Sequence, residues 1–142
     1  MKVSARNVFK GKVSAVKPGS VNAEVEIGLP GGDRLVAVIT QESVNTLGID
    51  VGREVVALVK APWVMLMTDA SGVRLSARNC LAGTVKLVEP GSVNAEVVLT
   101  LAGGTEVAAI VTKEAVAELG LKPGVAATAV IKASHVVLGV PR

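Results

Sequence analysis

The sequence predicts a mainly-β protein made of two tandem OB-like Greek-key barrels, each with five strands and one short helix. Three observations carry this reading: the chain repeats itself, its apolar residues alternate with polar ones, and Gly and Pro punctuate it at strand-length intervals. Shifted by 72 positions, the sequence lands on itself without a gap, with 30 identities in the 64 positions from 4 to 67. Ser4-Ala5-Arg6-Asn7 returns as Ser76-Ala77-Arg78-Asn79, and Pro18 to Val25 returns unchanged as Pro90 to Val97. Two modules follow, residues 1–68 and 74–142, joined by the polar segment Thr68-Asp69-Ala70-Ser71-Gly72.

Within a module, Arg6 to Val16 reads as a strand, with Gly11 suited to a bend or bulge. Lys17-Pro18-Gly19-Ser20 is a turn, because Pro presets φ and Gly tolerates φ > 0. Val21, Ala23, Val25 and Ile27 then alternate with Asn22, Glu24 and Glu26, the period of a half-buried strand. Gly31-Gly32-Asp33 turns the chain into Leu35 to Thr40. That third strand is apolar on both faces, so one face is expected against another module or subunit. Thr40 can cap a short helix from Gln41 to Leu47, with Glu42 in its first turn and Gly48 at its end. Glu54 to Lys60 and Trp63 to Met67 are the last two strands, and a helix after the third of five strands is the outline of an OB barrel.

Composition narrows the function. The net charge of +3 comes from 15 basic and 12 acidic residues with no run of one sign, a small surplus rather than a strong field. Phe9 and Trp63 are the only large aromatics, and neither position is aromatic in the other copy. A single-stranded nucleic-acid-binding OB protein, the alternative function considered, normally needs exposed aromatics and a basic groove. The chain starts without a secretory signal, and its longest wholly apolar stretch, Ala61 to Met67, is too short to span a bilayer. A cytoplasmic protein with no membrane or nucleic-acid partner is the expectation.

Catalysis has little to stand on. One Cys (Cys80) and one His (His135) allow no disulfide within the chain and no Cys/His metal cage. His135 takes the place of Trp63 and reads as a strand-surface residue. Cys80 takes the place of Val8 and reads as a small buried hydrophobe. Glu24 and Glu96 read as outward strand residues, and Glu42 and Glu114 as helix-end charges. No enzyme is expected, and no metal bound directly by side chains.

Anion binding fits better. Ser4 and Arg6 lie two apart on an extended segment, so a hydroxyl and a guanidinium point the same way. Thr40 stands at a helix start, and Lys60 is followed by Ala61, small enough to let a ligand approach its backbone N–H. Each of these recurs 72 residues later, as Ser76, Arg78, Thr112, Lys132 and Ala133.

At these residues the chain resembles the Mop-type molybdate-binding (molbindin) family, whose landmarks are Ser-Ala-Arg-Asn, Gly-Ser-Val-Asn-Ala-Glu-Val, Thr-x-Glu and Lys-Ala. The match spans nearly the whole chain in both copies. The resemblance implies an OB-like barrel per module, a homotrimer of two-module chains, and molybdate or tungstate bound as an oxyanion between modules for storage and buffering. One class of site would use Ser4, Ala5, Arg6, Thr40, Ser43, Lys60 and Ala61, with Ser76, Ala77, Arg78, Thr112, Lys132 and Ala133 in the second copy. Another, near the threefold axis, would use Gly19, Ser20, Val21 and Asn22, and Gly91, Ser92, Val93 and Asn94. The copies differ where Ser43 becomes Ala115, which loses a hydroxyl, and where Ser134 corresponds to Pro62, which lacks a backbone donor.

Overall fold

The computed structural model describes residues 1–69 and 72–142; Ala70 and Ser71 of the expected connecting segment lie outside the described residues. Among the described residues, each repeat forms five strands and one helix. The first has β1 (Asn7–Lys17), β2 (Asn22–Gly28), β3 (Arg34–Thr40), α1 (Gln41–Leu47), β4 (Glu54–Val59) and β5 (Met65–Met67). The second has β6 (Asn79–Pro90), β7 (Asn94–Leu101), β8 (Glu106–Thr112), α2 (Lys113–Leu119), β9 (Ala126–Ile131) and β10 (Val137–Gly139). The predicted mainly-β, OB-like class is the observed one.

Local chemistry accounts for the boundaries. In β2, Ala23, Val25 and Ile27 are buried while Glu24 and Glu26 are half-exposed, as strand pleating requires. The Thr40 hydroxyl accepts from the Ser43 backbone N–H at 3.0 Å and caps α1; Thr112 does the same for α2 from Ala115 at 3.1 Å. Both helices end on a glycine in the left-handed region, Gly48 at φ 64° and Gly120 at φ 63°.

Gly11 departs from expectation. The register shift in β1 falls between Val13 and Ala15, and its counterpart in β6 between Val85 and Leu87, so neither Gly11 nor Gly83 is the bulge. Gly11 is instead a close approach: a Cβ there would lie 2.5 Å from the Gly28 carbonyl oxygen and 2.8 Å from Ile27 Cγ2. Gly11→Ala should therefore force the β1–β2 ladder apart and cost about 1–3 kcal/mol. A lowered urea midpoint with an unchanged slope checks this; an unchanged midpoint would contradict it.

The sheets exchange their last strands. Their orders are β10-β4-β1-β2-β3 and β5-β9-β6-β7-β8. Met65–Met67 pairs with β9 of the second repeat, and Val137–Gly139 pairs with β4 of the first. A 3-10 turn over Ala61–Trp63 lies against β8 and delivers β5 across; the turn over Ala133–His135 lies against β3 and delivers β10 back. The second face of β3 thus meets the other repeat, in line with its apolar pattern. The buried residues form one cluster drawing on both repeats, including Val25, Ile27, Leu35, Val97, Leu99 and Ile131.

Two buried polar side chains tie the halves together. Asn79, 2 % exposed, accepts from the Val36 N–H and donates to the Val36 carbonyl, both at 2.7 Å. Asn7, also 2 % exposed, does the same to Ala108, both at 2.8 Å. Each amide serves an edge-strand residue as a neighbouring strand would, exchanging one donor and one acceptor. Lower down, the Asp33 carboxylate accepts from the N–H of Gly103 at 3.0 Å and of Thr105 at 3.3 Å, joining the two hairpin loops.

Candidate functional site

Sheet register gathers the basic residues. Asn79 pairs with Ile131, so Ser76-Ala77-Arg78, which leads into β6, lies beside Lys132-Ala133, which leaves β9. Asn7 pairs with Val59, which sets Arg6 beside Lys60 in the same way. Ser76, Ala77, Arg78, Lys132, Ala133 and Ser134 line one cavity of about 670 Å³, together with Trp63 of the other repeat and an apolar wall that includes Val38 and Met65. Ala61 and Ala133 are buried at the start of their 3-10 turns, and the lysines before them are exposed.

Thr40 and Ser43 stand apart from Arg6 and Lys60. In its own sheet Thr40 pairs with Asn22, and the Gln41 N–H donates to the Val21 carbonyl at 2.8 Å, so Thr40 and Ser43 sit with the Gly19–Asn22 loop. The second repeat matches: Thr112 pairs with Asn94, and the Lys113 N–H donates to Val93 at 3.1 Å. Within one chain, the turn carrying Ala133 lies against β3, the strand that ends in Thr40, and the turn carrying Ala61 lies against β8, which ends in Thr112. The Thr40 hydroxyl also donates to Ser43 Oγ at 2.8 Å, a bond that Ala115 cannot offer Thr112. The residues Gly19 to Val21 and Gly91 to Val93 form two exposed loops that lead into Asn22 of β2 and Asn94 of β7, with Val21 and Val93 each 71 % exposed.

The arginines are not alone. Arg78 donates from Nε and Nη2 to Glu24, both at 2.9 Å, and Arg6 donates from Nη2 to Glu96. Each pair crosses between repeats. The bond to Glu96 and the negative charge of that carboxylate raise the Arg6 pKa above its ordinary value. Sequence reasoning placed Glu24 and Glu96 as outward strand residues and missed this role. The usable signal was that both glutamates repeat at the same offset as the arginines.

Two further expectations are corrected. Cys80 is exposed rather than buried, because Asn79 points inward and the pleat turns its neighbour out; Val8 is exposed beside Asn7 for the same reason. His135 lies in a 3-10 turn rather than on a strand and stacks on Trp63 with ring centroids 4.8 Å apart, so the two repeat-equivalent positions meet. Lys60 Nζ lies 5.5 Å from the Trp63 ring, within cation–π range. Among the described residues, no group of three or more His, Cys, Asp or Glu side chains could hold a metal ion. The polar side chains lining the 670 Å³ cavity are the Ser76 and Ser134 hydroxyls, the Lys132 ammonium, the Arg78 guanidinium, the Trp63 indole and the His135 imidazole, with no carboxylate among them, a set that suits an anion.

Comparison with known proteins agrees with the repeat. The TOBE domain model matches twice, over residues 3–66 and 75–138. The chain is similar to the molybdenum-pterin-binding protein MopA of Rhodobacter capsulatus, at 45 % identity over 141 residues, 99 % of this chain and 53 % of MopA. It is also similar to molybdenum-pterin-binding protein 3 of Clostridium pasteurianum, at 45 % identity over 67 residues, 47 % of this chain and 98 % of that protein. The chain spans about half the length of MopA, and the single-module protein spans about half of this chain. Among solved structures, the cytoplasmic molybdate-binding protein ModG with molybdate bound is 70 % identical, with a TM-score of 0.95 over 99 % of this chain and 100 % of that one.

Proposed function

Because the chain belongs to the TOBE-domain family and carries that domain twice, we propose that it binds molybdate or tungstate between modules, without catalysing a reaction, and serves to store and buffer that oxyanion. The observation that carries the reading is the cavity in which Ser76, Ala77, Arg78, Lys132 and Ala133 converge. The 70 % identity to ModG, which was solved with molybdate bound, supports the choice of ligand. Modules 1–68 and 74–142 each contribute to both sites, because the two site arginines, Arg6 and Arg78, are each paired with a glutamate of the other repeat. Thr40, Ser43 and Thr112 complete the interface sites, and the loops at Gly19–Asn22 and Gly91–Asn94 form the second class.

A tetrahedral dianion offers four acceptor oxygens and no proton. Charge-assisted hydrogen bonds are each worth about 1.5–3 kcal/mol, so three or four, less desolvation and ordering, reach the roughly 8 kcal/mol of micromolar binding. Sulfate carries the same charge on shorter bonds and fits a molybdate-sized cavity loosely. Hydrogen phosphate keeps a proton that wants an acceptor, and none of the proposed ligand side chains is a carboxylate.

A homotrimer is the proposed assembly. Repeat-equivalent apolar residues are exposed in both copies, Val21 with Val93 and Met65 with Val137, as a surface used twice would require. The nucleic-acid alternative gains little: Phe9 is buried, which leaves Trp63 as a lone exposed aromatic among the described residues, too few for a stacking platform. No helix among the described residues is long and apolar enough to cross a membrane; a cytoplasmic location is proposed from the likeness to ModG.

The reading is tested by dialysing the purified chain against molybdate, tungstate and sulfate together and measuring retained Mo, W and S. Retention of Mo and W, with bound sulfate below them, is expected. Sulfate bound as tightly as molybdate would refute the selectivity, and retention of no oxyanion would refute the function.

A further inference from the structure

We infer that Glu24 and Glu96 are internal counter-ions that compete with the oxyanion for the site arginines and so set how tightly it is held. The inference rests on the proposed oxyanion site. Both glutamates occur at the same position of their repeats, and each reaches the arginine of the opposite repeat. Their side chains are only 23 % and 20 % exposed, while both arginines are 56 % exposed, so the carboxylate is the more enclosed partner and the guanidinium the more accessible one.

A guanidinium has five N–H donors in a fixed fork. Glu24 engages Nε and Nη2 of Arg78, which leaves Nη1 for another acceptor. Arg78 also stands between two concavities. It lines the cavity with Ser76 and Lys132, and it lines a second groove with Lys17, Glu24 and Glu26. An oxyanion seated on the cavity side therefore shares one cation with a carboxylate on the groove side. Two anions on one guanidinium repel each other, and the carboxylate, covalently tethered, is always at hand. The oxyanion binds less tightly than it would to a free arginine, which suits a protein that must release what it stores.

A purely structural role for the pair makes the opposite prediction, since loosening the arginine would then weaken binding. Glu→Gln keeps the size and the acceptor oxygen and removes the charge, so it separates the two. Calorimetric titration of molybdate and of sulfate into the full wild-type chain, Glu24→Gln, Glu96→Gln and the double variant provides the test. Tighter molybdate binding by about fivefold at the altered site is expected, from the typical strength of a partly exposed ion pair. Sulfate should gain in proportion, because the carboxylate excludes by charge and not by size. The two variants alter different sites, so either one that folds decides the matter. Unchanged or weaker molybdate binding in a folded variant, or a gain confined to molybdate, would overturn the inference while leaving the oxyanion site intact. A wild-type chain that takes up no molybdate would overturn both.

Discussion

Replacing Arg6 and Arg78 together with Ala should abolish most of the rise in melting temperature that saturating molybdate gives the wild-type chain. A ligand at about a hundred times its Kd stabilises the folded state by about 2.7 kcal/mol, by mass action alone. For a chain of this size that is a rise on the order of 5–11 °C. Loss of a charged fork at both sites should weaken binding about a hundredfold or more, which brings the same ligand concentration down to the Kd and the rise to a degree or two. The readout is the difference with and without molybdate, so any loss of the ion pairs to Glu96 and Glu24 cancels from it. An undiminished rise in the double variant would remove the arginines from the site.

Asn79→Ala should be the most damaging single substitution to stability outside the apolar core. The Val36 N–H and carbonyl lie on edge strand β3 and have the Asn79 amide as their partner. Truncation leaves both groups facing a partly dry interface, at about 1–3 kcal/mol each, so a loss of about 2–4 kcal/mol is expected. That is a large share of the 5–15 kcal/mol typical of a whole domain. Asn7→Ala should match it through Ala108, and the two losses should add, because the sites share no partner. Chemical denaturation of the single and double variants checks this; losses below about 0.5 kcal/mol would show that water replaces the amides at no cost.

These two asparagines also mark where the sequence stopped being readable. The repeat, the strand periods, the capping threonines and the closing glycines are local features, and each was legible. Asn7 was legible only as a polar residue kept in both copies. Phe9 and Val13 are buried in β1, and pleating by two puts Asn7 inside with them and Val8 outside. Reading Cys80 as a small buried hydrophobe in the place of Val8 inverted that phase. The exchange of β5 and β10 was beyond reach, since a strand of three residues carries too little pattern to name its partner. The Arg–Glu pairs span 90 and 54 residues, a distance over which charge alone gives no pairing rule. The site was therefore legible as a donor set, but not as a set of arginines already engaged by carboxylates.

The most direct test is a crystal structure of the molybdate-loaded assembly with the molybdenum located by its anomalous scattering. The expected result is a peak within hydrogen-bonding reach of Arg78 and Lys132, and another near Arg6 and Lys60, each where modules meet. Peaks elsewhere, with those four side chains extended into open solvent away from every subunit contact, would contradict the account.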